Sequence, residues 1–348
     1  MEERSLEYPA VPDAHADRRT RNVACAGLLV ADVFPGALQR LPNPGELTTT
    51  SSLVMSVGGS AANTAVALRI LGQEVDVAGK VGSDIQGDFV ISELRRRGVG
   101  VSQIRRSADC STSSTIILNV KGEDRRYLHC VGANAEFGLE DLDAAFLAQA
   151  CVLYFGGYLA LPSFRARDLE TFLREAKLRE LTTLLDVTMP AGGSFGMEDV
   201  APVLQYADYF LPNCEEAARL TGESDERRQA SRLNALNPEG TVVITRGARG
   251  PLACRRGKFV ETPPFRMKSV DESGAGDAFA AGLITALLQD WDLEASLIFA
   301  AAVGASRTRV LGCSSGVFTF EEAIFCIEKE TRSGAGWDTF LKAVNRPA

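Results

Sequence analysis

Short apolar runs recur along the chain at the length of buried strands, and the stretches between them repeat their apolar positions at helical spacing. Residues 23–30 (Val-Ala-Cys-Ala-Gly-Leu-Leu-Val) read as a buried strand ending at Asp32, and residues 75–81, 150–155, 183–186, 209–212 and 241–245 continue the series. Helical patterns fall at 59–71, 87–97, 168–181 and 215–220. Strands alternating with helices predict an α/β fold with a mostly parallel central sheet and helices on both faces. In such a sheet ligands bind beyond the carboxyl ends of the strands, where Asp32, Asp186, Asn213 and Thr245 stand.

Two segments break that rhythm. Residues 45–57 and 114–130 are rich in β-branched side chains, and the second turns at Lys121-Gly-Glu-Asp124 as a hairpin would. They predict a small separate β-sheet, a lid over the strand ends. Residues 1–20 are polar and without pattern, so they are expected to be disordered, leaving 21–345 as one α/β domain.

Of the 348 residues, 45% are apolar and 24% charged, which supplies a large core and excludes an intrinsically disordered chain. The net charge of −8 argues against a nucleic-acid or anionic-membrane partner, since either would select a basic face. No apolar stretch reaches the roughly 20 residues of a membrane-spanning helix. The N-terminus lacks a secretory core, so a cytoplasmic protein is expected. Eight scattered cysteines, with no Cys-x-x-Cys and only His15 and His129 to join them, disfavour a zinc site and fit free thiols.

Candidate chemistry concentrates at Asp271-Glu-Ser-Gly-Ala-Gly-Asp277, which runs into the small-residue helical pattern of residues 278–288. One Gly would suffice for a turn before a helix. Gly274, Ala275 and Gly276 together leave consecutive amides uncovered at the positive end of the helix dipole, where a phosphate binds. Asp277 stands beside them to take a proton. The same letters at Ser333-Gly-Ala-Gly-Trp-Asp338 precede no small-residue helix and read as a helix end and loop.

Gly58-Gly-Ser-Ala-Ala-Asn63 opens the first small-residue helix; its paired glycines admit a close strand or a ligand, and Asn63 offers an amide on the same face. Asn213-Cys-Glu-Glu216 follows a strand and reads either as a capping box or as a carboxylate that orders magnesium through water. Thr245-Arg-Gly-Ala-Arg-Gly250 ends a strand with a hydroxyl and glycines that suit a nucleotide, or a hairpin turn into the next strand. Other nucleotide signatures fail. Gly79-Lys80 lacks the upstream Gly and the following Ser or Thr of a Walker loop. Phe279 stands where a dinucleotide fingerprint needs a third Gly or Ala.

In this order the four motifs resemble those of the ribokinase / phosphofructokinase-B family of small-molecule kinases, over roughly residues 22–330. The resemblance implies a ribokinase-like α/β kinase domain with a β lid that often forms a homodimer, ATP and Mg2+ as cofactors, and transfer of the γ-phosphoryl group to a hydroxyl of a sugar or sugar-like small molecule. Residue by residue it implies Asp277 as the base and Gly274, Ala275 and Gly276 as the anion hole. Asp32, Gly58, Gly59 and Asn63 would hold the acceptor. Asn213, Glu216, Thr245, Gly247 and Gly312 would line the nucleotide, Glu216 ordering Mg2+ through water, and Gly312-Cys313 forming the turn near the adenine. Members with a potassium site bind the ion through the residue at Asp271, which makes Asp271 a candidate for K+, although Glu272 replaces the Thr that often follows. Ser60 replaces the Lys of ribokinases proper. A nucleoside kinase of the same family and a non-catalytic nucleotide- or sugar-binding relative are the alternatives, and Asn119, Tyr127, His129 and Asn134 of the lid are candidates for acceptor contacts.

Overall fold

The computed structural model describes residues 22–123, 126–332 and 337–344. Residues 1–20, expected to be disordered, lie outside them, as do Asp124 of the expected lid turn and 333–336 of the second Ser-Gly-Ala-Gly. The first seven strands are β1 (Asn22–Gly27), β2 (Val30–Pro35), β3 (Leu53–Gly58), β4 (Glu74–Gly82), β5 (Gly100–Ser107), β6 (Ser114–Leu118) and β7 (Arg126–Cys130). They are followed by β8 (Ala150–Gly156), β9 (Thr182–Leu185), β10 (Tyr209–Phe210), β11 (Thr241–Ile244), β12 (Leu252–Arg255) and β13 (Lys258–Glu261). The helices are α1 (Ser60–Ile70), α2 (Ile85–Arg96), α3 (Ala144–Ala148), α4 (Ala166–Leu178), α5 (Met197–Leu204) and α6 (Cys214–Thr221), then α7 (Glu226–Asn234), α8 (Ala275–Leu288), α9 (Leu293–Arg307), α10 (Phe320–Arg332) and α11 (Asp338–Val344).

The main sheet runs β13-β12-β11-β10-β9-β8-β1-β4-β5, parallel from β11 to β5 and closed at its other edge by the antiparallel β12 and β13. Its side chains alternate between two cores. Val23 and Cys25 of β1 join the cluster beneath α1, α8 and α9, whereas Ala24 and Ala26 join the one beneath α4, α5 and α7. That period of two with helices on both faces is the α/β architecture expected, and the parallel strands are apolar throughout because both faces are covered.

Helices α1 and α8 are buried on nearly every side. Small residues make this feasible by letting backbones approach: a Cβ added at Gly282 of α8 would lie 2.8 Å from the Cα of Ala300 in α9. Among the described residues no helix is long and apolar enough to cross a membrane.

A second, four-stranded sheet, β3-β2-β6-β7, stands apart as the lid. Here the structure corrects the sequence reading twice. The run 23–30 is not one strand reaching Asp32: β1 stops at Gly27, pairing with Gly156, and after Leu28 and Leu29 the chain re-enters a strand as the centre of the small sheet. Gly27 can turn there because it holds φ 137°, and any Cβ on it would lie 2.0 Å from the Gly156 carbonyl oxygen. Asp32 is therefore a lid residue. The first lid segment is also shorter than expected, since β3 begins at Leu53 and residues 45–52 form no strand. The second divides into the hairpin β6–β7, paired from Ser114↔Cys130 to Leu118↔Arg126.

Candidate active site

The Asp271–Asp277 stretch is shaped by its contacts on both sides. Gly274 caps α8 at φ 74°, and an added Cβ would sit 2.0 Å from the carbonyl oxygen of Cys313, so neither a side chain nor ordinary backbone geometry fits. Gly276 is exposed, with nothing within 4 Å of an added Cβ. The cradle opens on its side and is not sealed in packing. The amide of Ala275 closes a turn onto the carbonyl of Glu272 at 3.2 Å. Gly276 and Asp277, second and third in the helix, occupy positions for which an α-helix supplies no acceptor of its own.

Asp277 is partly exposed at the end of this cradle. The Asn63 side-chain amide donates to its Oδ2 at 2.9 Å, across 214 positions of sequence, because α1 and α8 pack side by side. Burial pushes the Asp277 carboxyl up to about 6, against the Asn63 hydrogen bond that favours its charged form. The remaining oxygen of Asn63, Oδ1, is buried and accepts no hydrogen bond from the protein.

Asp32 arrives from the lid. Its carboxylate is 5% exposed, burial raises its pKa, and the Cys313 thiol donates to Oδ2 at 3.2 Å. Gly58, opposite the neighbouring lid strand, is what makes room: a Cβ there would come within 1.9 Å of that same oxygen. Gly59 has φ 92° and would strike the Leu28 carbonyl at 2.4 Å, so it serves the close strand-to-helix passage. Strand pairing sets Ser56, Asp32, Thr115 and His129 in one row across the sheet, and Thr115 Oγ1 lies 3.0 Å from His129 Nδ1. Of the other lid candidates, Asn134 is fully buried and holds the backbone of Leu29, a structural duty.

Asn213 and Glu216 form the capping box the spacing allowed. Asn213 Oδ1 accepts from the amides of Glu215 and Glu216 at 2.9 Å each, and Glu216 Oε2 accepts from the Asn213 amide at 2.8 Å. One Glu216 oxygen is thus committed to the cap. Burial pushes its carboxyl up to about 7, with Asp277 among the charges that add to the rise. Asp186, at the end of β9, is driven well above the usual carboxylate range by burial and then by Glu216 and Asp277. Thr245 meets Asn213 through a bridge between adjacent strand ends. Gly247 is exposed at φ 55°, and Arg246 pins the same loop, its Nε donating to the Gly250 carbonyl at 2.8 Å. The segment makes the hairpin into β12, the second of its two sequence readings.

Gly312 donates its amide to Asp271 Oδ2 at 2.9 Å, and Cys313 next to it reaches Asp32, which ties this turn to the lid side of the cleft. Two residues, Thr115 and Arg307, escaped the sequence reading of the site. Thr115 shows only through its register with Asp32, while Asp186 and Cys313 stand in the sequence at a strand end and in the Gly312-Cys313 turn, with no sign there that Cys313 faces Asp32. Arg307 reads in sequence as an ordinary basic helix terminus, yet it is 0% exposed.

Comparisons with known proteins bear on the family and the fold. The model of the pfkB family carbohydrate kinase matches residues 20–319. The chain is 27% identical over 292 residues to the ribokinase of Haemophilus influenzae, covering 82% of this chain and 92% of that one. It is 26% identical over 329 residues to the 5-dehydro-2-deoxygluconokinase of Clostridium perfringens, covering 90% and 95%. In structure it resembles Arabidopsis thaliana ribokinase complexed with ribose and ATP, at a TM-score of 0.76 and 21% identity over 89% of this chain and 99% of that one. That likeness bears on the fold.

Proposed function

Since this chain belongs to the pfkB family of carbohydrate kinases, we propose that it transfers the γ-phosphoryl group of ATP to a hydroxyl of a sugar or sugar-like compound, with Asp277 as the base. The observation that carries the reading is the pairing at the open start of α8: an aspartate held by Asn63 at 2.9 Å beside helix amides that face no side chain of their own. An acceptor hydroxyl beside Asp277 would give its proton to the carboxylate, while the Asn63 amide, bonded to Oδ2, holds that carboxylate in place. The amides at Gly276 and Asp277 then face the charge that builds on the transferring group, with Gly274 shaping the turn that presents them. Donors fixed on developing charge contribute about 3 kcal/mol each in comparable sites. Positioning supplies much of the rest.

Asp32 and the row Ser56, Thr115 and His129 present a polar lid face to the acceptor. Thr245 and Gly247 border the nucleotide. Magnesium fits the site through its water shell. Asp277 adds to the raised pKa of both Asp186 and Glu216, and Glu216 to that of Asp186, so the region gains from a cation, and among the described residues no three ligand side chains converge to grip one directly. When bound, Mg2+ would neutralise charge on the phosphates. Glu216, with its second oxygen clear of the cap, and Asp186 would hold its waters.

The outer face of the lid sets Met55, Val33, Ile116 and Leu128 in one cross-strand row, with Met55, Ile116 and Leu128 39%, 40% and 61% exposed. This apolar row supports a homodimer in which a second copy covers it.

The deciding experiment is ADP release from Mg·ATP across a panel of pentoses, hexoses, ketoses, sugar acids and nucleosides. One or more sugar-like acceptors should stimulate release, and Asp277→Asn should reduce it about 10²–10⁴-fold while still binding nucleotide. Undiminished turnover in that variant would remove Asp277 from the chemistry.

A further inference from the structure

Arg307, the last residue of α9, is fully buried, and a buried guanidinium is tolerated only where acceptors surround it. Its Nη1 donates to the Val310 carbonyl at 2.8 Å, and Nη2 lies 3.6 Å from Asp271 Oδ2. Asp271 is itself enclosed: Oδ1 accepts the Ser273 amide at 3.0 Å and Oδ2 the Gly312 amide at 2.9 Å. The backbone amides of Val270 and Asp271 both donate to the Thr308 carbonyl, at 2.7 and 3.1 Å. Two loops are thereby stitched together around one ion pair. One leads into Gly274 and the start of α8. The other carries Cys313, whose carbonyl forces the glycine at 274 and whose thiol rests on Asp32.

A monovalent cation at Asp271, which the family resemblance suggested, does not fit this arrangement. The carboxylate already receives two amides and faces a full positive charge fixed by the fold, which would repel a second cation beside it.

We infer that Arg307 stands permanently in the place of a monovalent cation, so that the Asp271–Gly274 loop and the cradle it leads to are assembled without K+. Arg307 is a positioning residue in this scheme, and the inference rests on reading that loop as the phosphoryl cradle.

The test compares wild-type protein in potassium, ammonium and tetramethylammonium chloride at equal ionic strength, by thermal unfolding midpoint, by Mg·ADP affinity in calorimetry and by 205Tl resonance broadening. No difference among the salts and no saturable thallium binding are expected. A saturable rise in midpoint with K+, or thallium bound at one site, would overturn the inference. Arg307→Ala should lose midpoint and ADP affinity and regain both in K+ or guanidinium chloride but not in tetramethylammonium chloride. A folded Arg307→Ala protein that no cation restores would reduce Arg307 to an ordinary buried pair. If that variant fails to fold, the wild-type salt comparison alone decides. The midpoint needs no nucleotide, so a chain unable to bind Mg·ADP would sink the phosphoryl-transfer reading and leave this comparison standing.

Discussion

At the scale of single residues the site is governed by what surrounds Asp277. Burial raises its pKa to about 6, while the Asn63 amide pulls the other way by bonding the ionised form. A base must be unprotonated to act, so kcat/KM for a pH-insensitive acceptor should climb as pH rises through about 6 and level off above it. Asn63→Ala removes the bond that favours the charged carboxylate, and the midpoint of that profile should move upward by about one pH unit. A profile unchanged by the substitution would show that another group sets the pH dependence. Asp277 was legible in the sequence from its place after three small residues. Its partner was not, because the bond joins residues 214 positions apart.

At the scale of elements the two glycines of the α8 start have different duties, and substitution separates them. Gly276→Ala meets nothing within 4 Å, so it should fold like the wild type yet lose turnover, its methyl lying at the open side of the cradle. Gly274→Ala combines a left-handed φ of 74° with a 2.0 Å approach to the Cys313 carbonyl, and should cost about 2–3 kcal/mol of stability as well as activity. Denaturant unfolding of both variants beside their turnover checks the distinction, and equal loss of stability would refute it. The sequence marked this element by its small residues. It could not reveal that Gly274 is compelled by a carbonyl from another loop, since no pattern near residue 274 refers to residue 313.

At the scale of the whole molecule, the lid joins the acceptor side of the site to the proposed contact between copies. Its polar row, Ser56, Asp32, Thr115 and His129, lies on the face where Asp32 meets Cys313, and its apolar row, Met55, Val33, Ile116 and Leu128, faces outward, because strand side chains alternate. Replacing Ile116 and Leu128 by Lys should turn a dimer into a monomer in sedimentation velocity, whereas a wild-type monomer at micromolar concentration would dismiss the pairing. By itself the sequence determined the alternation of strands and helices, the two-faced burial of the main sheet, the start of α8 with its aspartate, and the family. These are written in local spacing, which a period of 2 or 3.6 and a run of small residues make visible. Only the tertiary structure decided that Asp32 belongs to the lid, that Cys313 lies on it, that Asn63 holds Asp277, and that Arg307 is sealed against Asp271. Each depends on which distant segments come to lie together, and long-range packing leaves no periodic trace in the chain.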